Sequence, residues 1–473
     1  MKKITRRTFL KSTAAAGGMA LGGGAAQAGM APRLLRYGGP AAERRQADYL
    51  NAKIDWRQVD GERIKVLALP AHYIKKFQTV TSKFKDLTGI QVDYELIPPR
   101  EMREKAILDL GAKTANYASQ TTDPMYYHLY EANRWVDPLD DYLNDDKLTD
   151  KAWYDVDDVV PLWRAHDSVK GKLYGMPISG EATIHHYRAD VYDKLGLRPP
   201  DTLEEFRTTA KRAHKHDGRM AGAALRGFRG AGQNMYIWPS LFRTWDGEWF
   251  DSSGRPTVNS EAGYKSLEFY VDILQNYSSP GVQNWNWPEI MEAFAAGNVV
   301  QFIDASTMAA ITENPGKSKV AGKIAYQRWP KGPTGKRVTS IWNWGLPING
   351  ALSRRKKVAT WLYIQWISSR PIQLLSATIK ESPDAVVRTD VNRVSLWTDP
   401  EYRKVINFHP DYANVVLTSL EKDTDADWRP RSPQWPKIGE ILAVAIQAAL
   451  VKQKTVKKAL DDANRAIAKV MRV

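Results

Sequence analysis

The 473-residue sequence contains no cysteine. It therefore forms no disulfide bond, offers no thiol nucleophile, and lacks the residue that carries the lipid of many exported proteins. Its apolar N-terminal run, from Thr13 to Ala25, is shorter and richer in glycine than a membrane anchor of about 20 strongly apolar residues. We therefore expect a chain that is neither a lipoprotein nor anchored by this segment.

Motifs that carry catalysis are also missing. The sequence has no serine in a G-x-S-x-G turn and no H-E-x-x-H helix. The paired histidines, His185-His186 and His214 with His216, have only Asp217 as a nearby acid at metal-ligand spacing. We expect no metal, no cofactor and no enzymatic activity.

The first residues fit a twin-arginine export signal. Arg6-Arg7 precedes Phe9-Leu10-Lys11, and residues 26–28 read AQA, the small residues of a cleavage site. We therefore expect residues 1–28 to be removed and the folded protein to reach a periplasm. Residues 29–62 lack periodicity and are expected to form an extension, partly ordered on the surface.

The balance of charge and aromatic residues narrows the class of ligand. The net charge is +15, but basic residues are interleaved with acidic ones, so nucleic-acid binding is not expected. The one basic run, 354–357, stands at a predicted helix start and is expected to be a solvated face. The 17 tryptophans are the stronger signal, because flat aromatic rings stack on the C–H groups of sugars.

After the extension, strands and helices alternate. Residues 64–69 and 90–97 have the composition of strands, whereas residues 72–87 and 101–112 have helical spacing of apolar residues. Strand, helix, strand, helix in that order predicts an α/β fold with a mostly parallel sheet. Such a sheet binds ligands at the carboxyl ends of its strands.

Five short motifs follow one another along the chain: KFKDLTGI at 83–90, RWVDPLD at 134–140, GKLYGMP at 171–177, PPDTLEEF at 199–206 and AFAAGN at 293–298. In order and spacing they resemble the motifs of the extracellular solute-binding proteins that include maltodextrin and polyol binders. The resemblance runs from about residue 63 to the C-terminus. Residues 455–470 resemble the closing helix of the family. Leu203 departs from the family pattern, which has tryptophan there, and Lys458 stands where the closing helix often has an acid.

This resemblance implies a two-lobed periplasmic binding protein fold with a hinged cleft. The first lobe would comprise 63–176 and 345–393, and the second 177–344 and 394–473. Crossing segments are expected near 174–180, 340–346 and 390–397. The family resemblance further implies a monomer that delivers its ligand to the permease of an ABC importer.

Candidate ligand residues stand in the loops and crossings that this fold places at the cleft. Gln120 and Asp123 follow a strand of the first lobe, although Asp123 also suits a helix cap. Trp342 and Trp344 lie two apart on a crossing segment, so both rings should share one face, with Asn343 on the other.

The second lobe contributes the remaining candidates. Arg226, Arg229 and Gln233 lie in a glycine-rich loop, where two arginines suit an anion or sugar hydroxyls. The other candidates are Trp285, Trp287, Asp304 and Trp435. Trp361 and Trp366 have the spacing of a buried helix face and are expected in the core.

The expected ligand is a small carbohydrate or polyol. The arginines leave open an anionic sugar derivative or glycerol phosphate. A periplasmic carbohydrate-active enzyme is also open, because Glu181, Glu248 and Asp304 could supply the two carboxylates, about 5 Å apart, of a retaining glycosidase.

Overall fold

A computed structural model describes residues 51–379, 386–425 and 427–472. The predicted export signal and most of the N-terminal extension lie outside these residues. Across the described ranges, no helix has both the length and the apolar character needed to cross a membrane.

The strands form one parallel sheet and several antiparallel ones. They are β1 Arg63–Ala68, β2 Gln91–Leu96, β3 Ser119–Gln120, β4 Val136–Asp137, β5 Ser168–Val169, β6 Lys172–Leu173, β7 Met176–Arg188, β8 Gln301–Ala305, β9 Ile324–Gln327, β10 Ile341–Leu346 and β11 Ile348–Asn349. The parallel sheet has the order β2-β1-β3, and the second sheet has the order β10-β7-β8 with β9 also paired to β7.

The α-helices cover these sheets. They are α1 His72–Thr88, α2 Pro99–Ala112, α3 Tyr127–Ala132, α4 Asp140–Leu143, α5 Lys151–Tyr154, α6 Pro161–His166, α7 Ala189–Leu195, α8 Leu203–Ala213, α9 Asn234–Thr244, α10 Glu261–Asn276, α11 Trp287–Ala295, α12 Ala309–Thr312, α13 Arg354–Ser368, α14 Arg370–Thr378, α15 Pro400–Val405, α16 Tyr412–Lys422, α17 Trp435–Leu450 and α18 Val456–Met471.

The predicted strand–helix order at the start of the fold is confirmed. β1 and β2 pair in parallel through the crossover helix α1, and α2 leads from β2 to β3. Gly89 ends α1 with φ 74°, and its N–H donates to the Lys85 carbonyl at 2.7 Å. Glycine adopts this left-handed conformation without a steric penalty, which is why the chain turns into β2 here.

The first lobe is the part of the chain packed around one apolar core that runs from Ala52 to Leu375. Trp361 and Trp366 of α13 are fully buried in it, as predicted. The basic run 354–357 opens α13, also as predicted, and the Ser353 side chain accepts from the Lys356 N–H. Trp56 is buried in this core with its ring 5.8 Å from that of Trp153. Residues 51–62 are therefore ordered against the lobe through Ala52, Trp56 and Val59, whereas half of their side chains are exposed.

The second lobe surrounds a larger core built on β7, β8 and the helices from α8 onward. Met125, Tyr126 and Tyr127 of the first lobe also join this core. The two lobes are therefore in contact around the loop that follows β3.

Three segments run between the two cores. β7 contributes Ile178 to the first core and Ile184 to the second, and its partner β10 passes alongside it. The segment around Asp390 packs against β7, because Ser179 Oγ donates to Asp390 Oδ2 at 2.5 Å. Arg388 pairs with Asp390 at 2.9 Å, and both side chains are buried.

Candidate functional site

The carboxyl ends of β2 and β3 bring an ion pair to the face of the first lobe that meets the second. Arg103 Nε donates to Asp123 Oδ2 at 2.8 Å, and Asp123 is fully buried. Its Oδ1 meets no hydrogen-bond donor within the described part of the chain. Asp123 makes no capping hydrogen bond to the helical turn that follows it. Its free oxygen can therefore accept a hydrogen bond from a ligand hydroxyl.

Trp342 and Trp344 stand on β10, where the chain passes between the lobes. Their rings lie 5.8 Å apart, whereas the Asn343 side chain turns away and donates to Asp167 Oδ1 at 2.7 Å. The predicted alternation is therefore confirmed. Trp344 is half-buried and packs against both cores, so this pair lies where the lobes meet.

The second lobe closes around Trp342. The Tyr236 ring is 5.7 Å from the Trp342 ring. A Cβ placed on Gly232 would lie 3.5 Å from Trp342 and 3.6 Å from Arg103 Nη2, so the glycine-rich loop fits between the hinge and the first lobe. Trp342 is only 5% exposed, yet its Nε1 has no acceptor among the residues that the structure describes.

Arg226 and Asp304 form a buried pair rather than an open binding fork. Arg226 Nε and Nη2 donate to Asp304 at 2.8 and 2.5 Å. Its Nη1 donates to the Gly232 carbonyl at 2.9 Å, and the guanidinium lies over the Tyr236 ring at 4.0 Å. Each side chain therefore provides the other with hydrogen bonds and a neutralising charge. The pair therefore holds the glycine-rich loop in place, and the ligand contact expected of both residues stays a prediction.

Glu181 lies beside Trp342 on the neighbouring strand. Tyr236 donates to Glu181 Oε1 at 3.1 Å and Thr307 donates to Oε2 at 2.5 Å. Burial raises the pKa of Glu181 to about 7, against the opposing effects of Thr307 and Arg226. Sequence reasoning considered Glu181 only as a glycosidase carboxylate, because its partners are distant in the chain.

Glu181→Gln is expected to remove a pH dependence of stability. The pKa of Glu181 is raised from 4.5 to about 7, so its contribution is full below pH 4.5 and is lost as pH rises through 7. At about 1.36 kcal/mol per unit, wild type should lose about 2–3 kcal/mol between roughly pH 5 and pH 8. Denaturant unfolding at both values measures this. Equal losses in wild type and variant would contradict it.

Arg429 is a site residue that sequence reasoning missed. It is 3% exposed, and its guanidinium lies 4.7 Å from the Trp342 ring and 4.3 Å from the Trp428 ring. Its Nη1 reaches Met125 Sδ of the first lobe at 3.4 Å. The available signal was the Trp428-Arg429 dipeptide, but the sequence does not reveal that this segment touches β10.

Three further predicted ligand residues are Trp435, Gln120 and Gln233. Trp435 is fully buried with its ring 5.8 Å from Trp249, so we assign it to the second core, against expectation. Gln120 is buried next to Thr121, and its Nε2 has no acceptor among the described residues. Gln233 turns back on its own loop, because its Oε1 accepts from the Gly232 N–H at 3.2 Å.

The last three candidates are Arg229 of the glycine-rich loop, and Trp285 and Trp287 at the start of α11. Arg229 is exposed. The Trp285 carbonyl accepts from the N–H of Phe228 at 2.8 Å, which fixes this loop against the start of α11. Trp287 is 43% exposed. Trp285 is partly buried against the second core, whereas Arg229 and Trp287 are exposed.

We call the group of side chains around Trp342 the interlobe site. Its members are Arg103, Asp123, Glu181, Tyr236, Trp342, Trp344 and Arg429. It combines aromatic faces with free acceptors and donors, the composition that suits a polyhydroxylated molecule.

Two of the three carboxylates considered for a glycosidase have guanidinium partners. Asp304 is held by Arg226, and Glu248, with a side chain 62% exposed, is held by Arg243 at 2.7 Å. Across the described ranges, no group of three or more histidine, aspartate or glutamate side chains is arranged to hold a metal.

The sequence is similar to those of known solute-binding proteins. The family described as bacterial extracellular solute-binding protein matches residues 71–373. The chain is 26% identical over 395 residues to a mannitol-binding protein of Pseudomonas aeruginosa, covering 81% of this chain and 87% of that protein. It is 23% identical over 455 residues to an erythritol/L-threitol-binding protein of Mycolicibacterium smegmatis, covering 90% and 91%.

Solved structures agree with the sequence relatives. An ABC transporter solute-binding protein of Agrobacterium radiobacter in complex with ribitol superposes with a TM-score of 0.77 at 25% identity, covering 87% of this chain and 99% of that one. A solute-binding protein of Agrobacterium vitis with bound D-mannitol gives 0.76 at 26% identity, covering 87% and 99%. The predicted two-lobed fold is thus confirmed, and this chain belongs to the bacterial extracellular solute-binding protein family.

Proposed function

We propose that this protein is the ligand-capturing subunit of an ABC importer and takes a small polyol or sugar into the interlobe site. The observation that carries the proposal is the position of Asp123 and Trp342, which are buried at the junction of the lobes with a free Oδ1 and a free Nε1 facing no partner in the described chain. An acceptor and a donor beside an aromatic face match the alternating C–H and O–H groups of a polyol. The polyols bound by the relatives support the same class of ligand.

The protein is proposed to bind without turnover. Closure would move residues 63–176 with 345–393 against residues 177–344 with 394–473, the hinge motion of periplasmic binding proteins. The closed form would be the one recognised by the permease. The guanidinium partners of Asp304 and Glu248 support this over a glycosidase, because each of these carboxylates already forms an ion pair.

Calorimetric titration of residues 29–473 with ribitol, mannitol, erythritol and neutral hexoses tests the proposal. We expect one site of micromolar or tighter affinity, about −8 kcal/mol or better. The radius of gyration from solution scattering should fall when ligand is added. Chromatography of the released ligand should show it unchanged, and recovery of a cleaved or oxidised product would overturn the non-enzymatic role.

We also propose that the protein reaches the periplasm by the twin-arginine route as a monomer without a lipid anchor. Arg6-Arg7 with Phe9-Leu10-Lys11 and the absence of cysteine support this. Replacing both arginines with lysine should retain the precursor in the cytoplasm. Fractionation of cells that express either form measures this, and normal periplasmic accumulation of the double variant would indicate the general secretory route.

A further inference from the structure

Among the residues that the structure describes, one guanidinium group of the interlobe site lacks the carboxylate partner that the neighbouring arginines have. Arg103 is paired with Asp123, and Arg226 with Asp304. Within the described residues, no carboxylate lies within 4.0 Å of the Arg429 guanidinium. The charge of Arg429 therefore has no direct counter-ion in the part of the chain that the structure describes.

The groups that do contact Arg429 do not neutralise it. Two tryptophan faces and the Met125 thioether surround the guanidinium. Aromatic faces attract a cation but carry no net charge. Burial lowers the pKa of Arg429 to about 10, because loss of solvation outweighs the attraction of the more distant Asp123. A buried charge without a partner destabilises the folded protein. We therefore expect the ligand to supply the counter-ion of Arg429.

Arg429 also lies where a ligand would meet it. It belongs to the second lobe and reaches Met125 of the first. It flanks the Trp342 ring and is attracted by the charge of Asp123. Trp342 Nε1 and Asp123 Oδ1 have no hydrogen-bond partner in the described ranges. An acceptor for hydroxyls, an aromatic face and an unpaired cation therefore border the same position.

We propose that the ligand is a polyhydroxylated monoanion, a sugar acid or sulfonated sugar, and that Arg429 binds its charged group. This inference rests on the proposed function, since it names the ligand class of that same site. The planar guanidinium offers parallel N–H donors that suit a carboxylate or a sulfonate. A phosphate monoester, with a charge of about −1.5 to −2, exceeds the one charge that Arg429 offers.

Wild-type protein alone gives the first test. Calorimetry would compare ribitol with ribonate, mannitol with mannonate, and a neutral hexose with its sulfonated form, with glycerol 3-phosphate as the dianion. At least one monoanion should bind about 10-fold or more tighter than its neutral partner, as charge-assisted bonds are roughly twice as strong as neutral ones. The carboxylate and sulfonate arms identify which group is preferred.

The second test compares Arg429→Gln with Arg431→Gln. Arg431 is a neighbouring, partly buried arginine whose Nη2 donates to the carbonyls of Ala165 and Ser168. Arg429→Gln should abolish the preference for the monoanion over its neutral partner, whereas Arg431→Gln should keep this ratio. Arg429→Lys retains the charge and should keep part of the preference, and it replaces the glutamine variant if that variant does not fold.

The outcomes separate this inference from the proposed function. Neutral polyols could bind as tightly as their acids, with the same ratio of affinities in wild type and Arg429→Gln. That result would contradict a monoanionic ligand and would leave the polyol-binding function in place. Tightest binding of glycerol 3-phosphate would overturn the single-charge argument. Failure of every polyol and every acid to bind would overturn both.

Discussion

Replacing Trp342 with alanine should weaken ligand binding by about 2–4 kcal/mol, the range of central aromatic residues at interfaces. This corresponds to roughly a 30- to 1,000-fold loss of affinity. The Trp342 ring projects from β10 and contacts both the Tyr236 ring and the Arg429 guanidinium. Its removal would take away the stacking face and the free Nε1, and would also release Arg429 from its position.

The same change should lower stability, because Trp342 is 5% exposed and truncation of a buried tryptophan costs about 3–5 kcal/mol. Melting temperature and dissociation constant are therefore measured together. Trp238→Ala is the matched control, since Trp238 is fully buried among Phe242 and Trp249 of the second core. Trp238→Ala should lose stability but bind normally when folded. If Trp342→Ala behaves in the same way, Trp342 is a core residue and not a ligand contact.

Asp304→Ala should reduce the free energy of unfolding by about 3–5 kcal/mol, because it leaves the Arg226 guanidinium buried without its partner. Arg226 makes three hydrogen bonds to Asp304 and one to the Gly232 carbonyl. The variant should therefore also loosen the glycine-rich loop. Denaturant unfolding measures the stability, and protection of the loop amides in hydrogen exchange measures its order.

Two further variants show whether the effect belongs to the buried pair. Arg226→Met combined with Asp304→Leu removes both charges and should recover most of the lost stability, because similar replacements of buried ion pairs are often neutral or stabilising. Glu104→Ala breaks the exposed pair with Arg100 and should cost no more than about 1 kcal/mol. A large loss of affinity in Asp304→Ala with little loss of stability would instead return Asp304 to the ligand contacts.

Sequence periodicity was sufficient to predict those features of the structure that depend on residues close together in the chain. The order β1, α1, β2, α2 followed from the change between apolar alternation and helical spacing, and the stop at Gly89 from the need for a left-handed residue. The shared face of Trp342 and Trp344 followed from the two-residue repeat of a strand. Each of these depends on backbone geometry over a few residues.

The partners of charged side chains could not be inferred in this way. Asp123 suits a helix cap by its position, but its carboxylate binds Arg103, 20 residues earlier. Arg226 and Arg229 share one loop, yet only Arg226 meets Asp304, 78 residues away. Trp435 and Arg429 lie in one segment, and the sequence favoured the former, whereas Arg429 is the one that reaches Trp342.

By itself the sequence determined the alternating α/β order, the buried face of α13, the pair of tryptophans on a crossing strand and the resemblance to solute-binding proteins. Tertiary structure decided which charges are neutralised. Arg103 and Arg226 have carboxylate partners, whereas Arg429 has none among the residues that the structure describes. The reason is physical. Local patterns reflect the repeat of the backbone, whereas the desolvation of a charge depends on which distant segments are folded against it.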